Sequence, residues 1–321
     1  MNSSLVSILI PAYNAAPYIA ETLDSALAQT WQNIEIVVVD DGSTDNTLAI
    51  AKTYESKRVK VISQENKGAS TARNRALKAA QGDFIQYLDA DDLLAPDKIE
   101  RQLKLSEFDR NSDYVASGEW ARFFQNPSEA IFTPQTLWTD MSPIDWLIAA
   151  WEKNLMMHPA AWLVPRNISD SAGMWNENVS LNDDGEYFCR VILVSQGVKF
   201  CAGAKSYYRS GISGSLSGSK SRKAWESAFL SAELCTNNLL SVENSDRTRY
   251  ACACYWQCFV FMAYPQAKDL IQKAEKNVRS LGGCDLKPEG GIMFKVMREV
   301  LGWKIAMQLQ KLYYRYRYNQ K

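Results

Sequence analysis

Residues 34–45, IEIVVVDDGSTD, join a nearly unbroken apolar run to two aspartates and a Gly/Ser/Thr turn. Such a run, without alternation, is what a parallel strand covered on both faces requires, and the polar residues after it mark a turn. The same grammar recurs on either side. Residues 5–14, LVSILIPAYN, pass from a buried strand at Leu5–Ile10 into Pro11, Ala12, Tyr13 and Asn14, and residues 83–92, DFIQYLDADD, pass from a strand at Asp83–Leu88 into Asp89, Ala90, Asp91 and Asp92. Helical patterns lie between them. Asn14 is expected to cap a helix with Pro17 in its first turn and Ile19, Leu23, Ala26 and Leu27 on one face, and Ser43 or Thr44 to cap the next. A short strand at Val59–Ile62, a helix over 69–80 closed by Gly82 and a helix opened by Pro96 complete the series. This alternation predicts an α/β fold with a parallel sheet, whose polar strand ends share the edge where open sheets bind ligands.

After residue 110 the pattern loosens. Aromatic-rich strands are expected near 113–124 and 131–138, helices at about 143–153 and 183–196, and strands near 198–202 and 205–209. The Gly/Ser-rich segment 211–221, GISGSLSGSKS, reads as a mobile loop, and helices follow to the end. The expected division is 1–110, 111–217 and 218–321, with a soft boundary near 218. The 36 basic and 36 acidic side chains cancel, but unevenly: residues 1–120 hold 12 basic and 18 acidic groups, and residues 290–321 hold 7 and 1. A chain-wide basic footprint for nucleic acid is thereby excluded. Of the seven cysteines, Cys252, Cys254 and Cys258 fall in an apolar stretch and read as buried thiols of a reducing compartment, zinc being the sharper alternative for Cys252 and Cys254. The Leu5–Ile10 run is too short and uncharged for a signal peptide, which points to a cytoplasmic start. No apolar window is long enough to cross a bilayer.

The acidic triplet is the most informative cluster. Three carboxylates within four residues repel one another unless a cation or solvent intervenes, and hard oxygen ligands at a strand end suit Mg²⁺ or Mn²⁺, which in turn hold substrate phosphates. A solvated acidic turn ahead of the Pro96 helix is the alternative. Around it, the Tyr13 ring can stack on a base, and Asp41, after Asp40, can accept from a base N–H or a ribose hydroxyl. Arg73 and Asn74, beyond the Asn66-Lys67-Gly68 loop, can meet a base or a phosphate. Together they describe a nucleoside-diphosphate pocket.

These residues carry a resemblance. SILIPAYNAAPYIAETLDSALAQTWQNIEIVVVDDGSTDNT, ENKGASTARNRAL and GDFIQYLDADDLLAPDKIE, in that order and spacing, resemble the inverting family 2 glycosyltransferases over about the first 110 residues. The resemblance implies a GT-A fold, in which a Rossmann-like nucleotide-binding sheet merges with an acceptor-binding subdomain, followed here by C-terminal helices. It implies a nucleotide-sugar donor with Asp41 and Tyr13 at the base, Asp89 near the ribose, Asp91 on a divalent metal with Asp92 assisting, and Lys67 and Gly68 in the donor-lining segment. It also implies hexosyl transfer in bacterial surface polysaccharide or glycolipid synthesis. Downstream, Gly173-Met174-Trp175-Asn176-Glu177, Asn182-Asp183-Asp184-Gly185-Glu186 and Arg190 resemble the acceptor-side pattern, with Asp183 where Glu is usual and Asp184 aligned with the general base. Inverting transfer needs such a carboxylate, and both aspartates can also cap a helix. Arg209 resembles a phosphate contact of the closing loop, against a structural salt bridge; the histidine usual two residues on is absent, since Gly211 stands there.

His158, the lone histidine, lies in a strand-like segment and either lines an acceptor site or is structural. Residues 290–317 interleave Ile292, Met293, Val296, Val300, Trp303, Ile305 and Leu309 with basic residues. That pattern suits a peripheral helix on an anionic membrane carrying a lipid-linked or glycan acceptor, or a helix packed on the core. A nucleotidyltransferase or an inactive sugar-nucleotide-binding subunit are the competing readings; the first lacks its Gly-rich phosphate loop after the first strand.

Overall fold

The computed structural model describes residues 4–105, 112–212 and 218–318, with the side chains of 311 and 314–318 left aside. Four parallel strands, β1 (Val6–Ala12), β2 (Ile34–Asp40), β3 (Val59–Ser63) and β4 (Phe84–Tyr87), are joined by β7 (Val164–Pro165), antiparallel to β4, in the order β3-β2-β1-β4-β7. Period-two alternation divides their side chains between two cores. Val6, Ile8 and Ile10 with Ile36 and Val38 pack with Ile19, Leu23 and Ala26 of α1 (Ile19–Leu27). Leu9, Val37 and Val39 with Ile85 and Tyr87 pack with Ala72, Ala76 and Leu77 of α3 (Ala69–Ala79). Ser7 is the polar exception on the second face; its Oγ donates to Glu35 and accepts from the N–H of Gly82. Gly82 has no alternative, because a Cβ there would lie 2.6 Å from the Ser7 nitrogen.

A second sheet orders β5 (Leu93–Leu94), β8 (Gly197–Arg209) and β6 (Tyr114–Phe123) as β5-β8-β6. Here the expected pair of strands is one long strand that kinks at Gly203 (φ +82°), opposite a register shift at Gly118/Glu119. A side chain at Gly118 would strike the Ala204 carbonyl at 2.3 Å. The strand expected at 131–138 is irregular chain and turn, and His158 precedes a single 3-10 turn at Pro159–Ala161. Neither expected cap holds. Asn14 accepts from the N–H of Thr44 and donates its own N–H to Ser43 Oγ, so it ties the ends of β1 and β2 together while Tyr18 stands at the start of α1. Asp45 accepts from Thr47 N–H at the start of α2 (Thr47–Thr53).

The remaining helices are α4 (Lys98–Leu103), α5 (Pro143–Glu152), α6 (Arg166–Ala172), α7 (Asp183–Val194), α8 (Arg222–Val242), α9 (Asp246–Ala263), α10 (Lys268–Ser280), α11 (Ile292–Leu301) and α12 (Trp303–Tyr318). The helices beyond 218 do not stand apart. Cys235, Leu239, Ala251 and Cys252 of α8 and α9 share one buried cluster with Trp151 and Cys189, and Tyr255 stacks on Trp151 at 4.5 Å. All seven cysteines are free thiols, Cys284 alone being partly exposed. In α11 only Phe294 is buried, and Trp303 turns inward onto Phe261 and Tyr264 instead of outward as the tail pattern suggested. Part of the Gly/Ser loop, residues 213–217, lies outside the described residues, as do the side chains of Lys311, Arg315 and Arg317 at the charged tip.

Candidate functional site

Parallel register sets Ala12, Asp40 and Ser63 in one row, with Tyr87 level with Leu9, so that the polar residues that follow β1, β2 and β4 lie along one edge of the sheet. Tyr13, after Pro11 and Ala12, is half exposed at the rim. Asp41, buried, accepts from the backbone N–H groups of Lys67 and Gly68 at 2.9 and 2.8 Å and from Gln64 Nε2 at 2.7 Å. One carboxylate thus sets the shape of the loop ahead of α3, with Gly68 at φ +92°, a value that suits glycine. Asp40 accepts from Ser43 N–H, while its Oδ1 is buried without a hydrogen-bond partner among the described residues.

Arg73 is the hub. Its guanidinium donates to Asp89 Oδ1 at 2.8 Å and to Asp183 Oδ2 at 2.6 Å, and lies 4.4 Å over the Trp175 ring. Burial works against its charge, but Asp183 and Asp89 more than offset that and raise its pKa. Arg73 therefore bridges the strand-end carboxylate after β4 to the start of α7, far along the chain. The Asn74 amide is engaged by protein: it donates to the Trp175 carbonyl and Glu177 and accepts from Trp175 N–H, holding the 173–177 turn in place. Arg190 clamps the same turn through the carbonyls of Ala172 and Met174 while paired with Glu186. Removing the hub leaves two carboxylates unpaired, so Arg73→Met is expected to destabilise the fold by about 3 kcal/mol or more, measured by urea unfolding.

The acidic triplet divides. Asp92 is buried, with Oδ1 accepting from Arg209 N–H at 2.8 Å and Oδ2 3.1 Å from His158 Nδ1. Each of its oxygens already has one protein partner. His158 also meets Ser206 Oγ at 2.8 Å, and burial depresses its pKa to about 3. It is a neutral structural link between the acidic turn and β8. Arg209 donates to the Asp91 carbonyl and Glu21 and stacks between Tyr18 and Phe123, so its fixed contacts are structural ones. Asp91 remains: burial, then Asp92 and Asp89, push its carboxyl up to about 8. A cation at that place would relieve this repulsion, so the donor chemistry fits Mn²⁺ or Mg²⁺. No group of three or more His, Cys, Asp or Glu gathers to hold a metal among the described residues.

Across Arg73, Asp183 accepts from Ser70 Oγ at 3.2 Å and from the N–H of Asp184 at 3.0 Å. Among the described residues the Asp184 carboxylate accepts only from Gly185 N–H, at 2.9 Å. Burial and then Asp183 raise it to about 6, the range suited to a base near neutral pH. The sequence reading gave Trp175 no role, although its stack on Tyr187 at 4.3 Å is the floor under Arg73; an aromatic inside a turn motif was the available signal.

The sequence pattern of Glycosyl transferase family 2 matches residues 7–169, ending before Asp183 and Asp184. An uncharacterized glycosyltransferase of Rickettsia typhi is 33% identical over 201 residues, 60% of this chain and 60% of that protein. Chondroitin synthase of Escherichia coli is 48% identical over 106 residues, 32% of this chain and 15% of that one. The chain thus spans less than two thirds of the length of these relatives. Among solved structures, TarS of S. aureus superposes with a TM-score of 0.56 at 19% identity, covering 86% of this chain and 88% of that one. A mannosyltransferase of Pyrobaculum calidifontis, solved with GDP-Man and Mn²⁺, gives 0.53 at 18% identity, covering 97% and 82%. The fold expected from the resemblance, GT-A with C-terminal helices, is the one observed.

Proposed function

Because the chain belongs to glycosyl transferase family 2, we propose that it transfers a hexosyl group, with inversion, from a nucleoside-diphosphate sugar to a hydroxyl of a glycan or lipid-linked acceptor. The observation that carries this reading is the Arg73 bridge, which ties the strand-end carboxylate Asp89, two residues from Asp91, to Asp183, the neighbour of Asp184. Tyr13 stacks on the base of the donor, and Asp41, Asp40, Lys67 and Gly68 shape that end, with Pro11, Asn14 and Ala90 in the surrounding wall. Asp89 faces the ribose. Asp91, with Asp89 beside it, would hold a divalent ion, whose charge would neutralise the departing diphosphate. Asp184 takes the proton of the acceptor hydroxyl as its oxygen attacks the anomeric carbon opposite the diphosphate. Arg73 pairs with Asp183, whose carboxylate accepts the N–H of Asp184. Incubation with Mn²⁺ and a panel of UDP- and GDP-linked hexoses should release nucleoside diphosphate from one of them; no release from any would reject the reading.

The proposal extends to place. The described part of α11 and α12 exposes Ile292, Met293, Val296, Val300, Ile305 and Leu309, and residues 290–321 carry seven basic groups and one acidic. No described helix is long and apolar enough to cross a membrane. An amphipathic surface of this kind lies in the plane of an anionic leaflet, here the inner face of the cell membrane, near lipid-linked acceptors. Within the described residues Lys295 and Lys304 are paired with Glu289 and Glu275, so the apolar face contributes more than charge. Deleting 290–321 is expected to lower sedimentation with phosphatidylglycerol vesicles at least tenfold, roughly the contribution of two buried methylenes. Equal sedimentation of both proteins would refute a membrane role for the tail.

A further inference from the structure

We infer that the catalytic unit extends into α8 and α9, where Ser231 and Tyr255 act through Asn182 as positioning residues for the carboxylate of Asp184. The inference rests on the reading of Asp184 as base. Asn182 stands immediately before α7 at φ 64°, ψ 35°, the left-handed region that residues other than glycine seldom adopt. A residue at the start of a helix ordinarily uses its side chain to accept an orphan N–H of the first turn. Asn182 does not cap in that way. Its side-chain amide turns away from the helix: Nδ2 donates to Ser231 Oγ and to the Tyr255 hydroxyl, both at 2.8 Å, while the Asn182 backbone carbonyl accepts from Ser231 Oγ at 2.9 Å.

The two partners are themselves fixed. Ser231 is fully buried on α8, and one turn earlier Ser227 Oγ accepts from the N–H groups of Ser180 and Leu181 at 2.7 and 2.9 Å. Two serines four residues apart therefore grip three consecutive residues, 180–182, ahead of the aspartates. The Tyr255 hydroxyl, having accepted from Asn182, donates to Cys235 Sγ at 3.8 Å, and its ring is stacked on Trp151 of α5. On the other side Asn182 rests against Gly185, where a Cβ would lie 2.5 Å from Asn182 Oδ1. Gly185 is the residue whose N–H holds Asp184 Oδ1. The physical chain runs from Ser231 and Tyr255 through the Asn182 amide to the Gly185 peptide and the Asp184 carboxylate. Every link is a hydrogen bond or a close contact with no room for slack. The carboxylate is held from behind by helices that lie outside residues 7–169.

Two variants test this: Ser231→Ala combined with Tyr255→Phe, and Asn182→Gly, which keeps the left-handed backbone accessible but removes the amide. The readout is nucleoside diphosphate released from UDP- and GDP-linked hexoses with Mn²⁺. Both variants should lose about 10- to 100-fold in kcat, the scale of a small misplacement of a reacting group. Donor KM should stay within about twofold, because the donor-side strand ends are untouched. In an Asp184→Asn background the same substitutions should cost nothing further, since their effect passes through that carboxylate. Full kcat in both variants while Asp184→Asn is inactive would overturn the inference. So would an equal extra loss in the Asp184→Asn background, which would make the contacts general scaffolding. Full turnover by Asp184→Asn alone would instead remove the base reading, and the positioning role with it.

Discussion

Asp184→Asn is expected to lower sugar transfer by about 10²–10⁴-fold, the usual contribution of a positioned base, while donor affinity stays unchanged. The substitution is close to isosteric, and the N–H of Gly185 still finds an oxygen to donate to at that position. What is lost is the ability to take a proton. In the intact protein burial and the Asp183 charge raise Asp184 to about 6 from 3.8. Transfer should therefore be steady above that pH and fall about tenfold per unit below it. Stability moves the other way. A carboxyl whose folded pKa is raised binds its proton more tightly in the native state than in the unfolded one. Its contribution to stability is thus full below 3.8 and is lost as pH rises through about 6. The asparagine variant escapes that penalty and should be more stable at pH 7 by on the order of 3 kcal/mol, with the difference becoming small near pH 4. Equilibrium unfolding at the two pH values checks the sign. A variant that kept full transfer, or that lost donor affinity in parallel with rate, would take Asp184 out of the role of base.

That trade is visible in where the sequence could be read and where it could not. The strand-end turns were legible because each is local: Asp40, Asp41 and the 89–92 triplet follow apolar runs whose burial on both faces leaves one edge for polar residues. Asp184 was legible through the family resemblance. The partners of Arg73, Asn74 and Arg209 were not legible, since Asp183, Trp175 and Asp92 lie 110, 101 and 117 residues away. A guanidinium next to a phosphate site and a guanidinium welded to a buried carboxylate have the same local sequence. The strand expected at 131–138 failed for a related reason, because aromatic content alone does not supply a neighbouring strand to pair with. The two caps failed because Asn14 and Ser43 found better partners in each other across β1 and β2 than at the helix starts. Asn182 shows the limit most clearly: its φ and its two anchors come from helices that local periodicity could identify only as helical.

Asp91→Asn is expected to reduce Mn²⁺-stimulated donor turnover at least 100-fold, which would make it the largest single loss on the donor side. The reasoning starts from electrostatics. Asp91 is pushed up to about 8 by burial and by its two acidic neighbours, and Asp92 cannot relieve it, being engaged by Arg209 and His158. At pH 7 the carboxyl is therefore largely protonated in the free protein, and a divalent cation has to displace that proton to bind. Metal affinity should rise with pH up to about 8 and level off above it. Calorimetry in two buffers of different ionisation enthalpy should find close to one proton released per Mn²⁺ at pH 6.5 and almost none at pH 9. Asparagine cannot release that proton, so the variant should lose both the heat of proton transfer and the stimulation by Mn²⁺. It should fold at least as well as the parent at pH 9, because the repulsion among three carboxylates falls to that between two. Turnover that ignored both Mn²⁺ and the substitution would exclude Asp91 as the metal ligand and leave the acidic turn a purely structural feature, held by Arg209, His158 and Thr22.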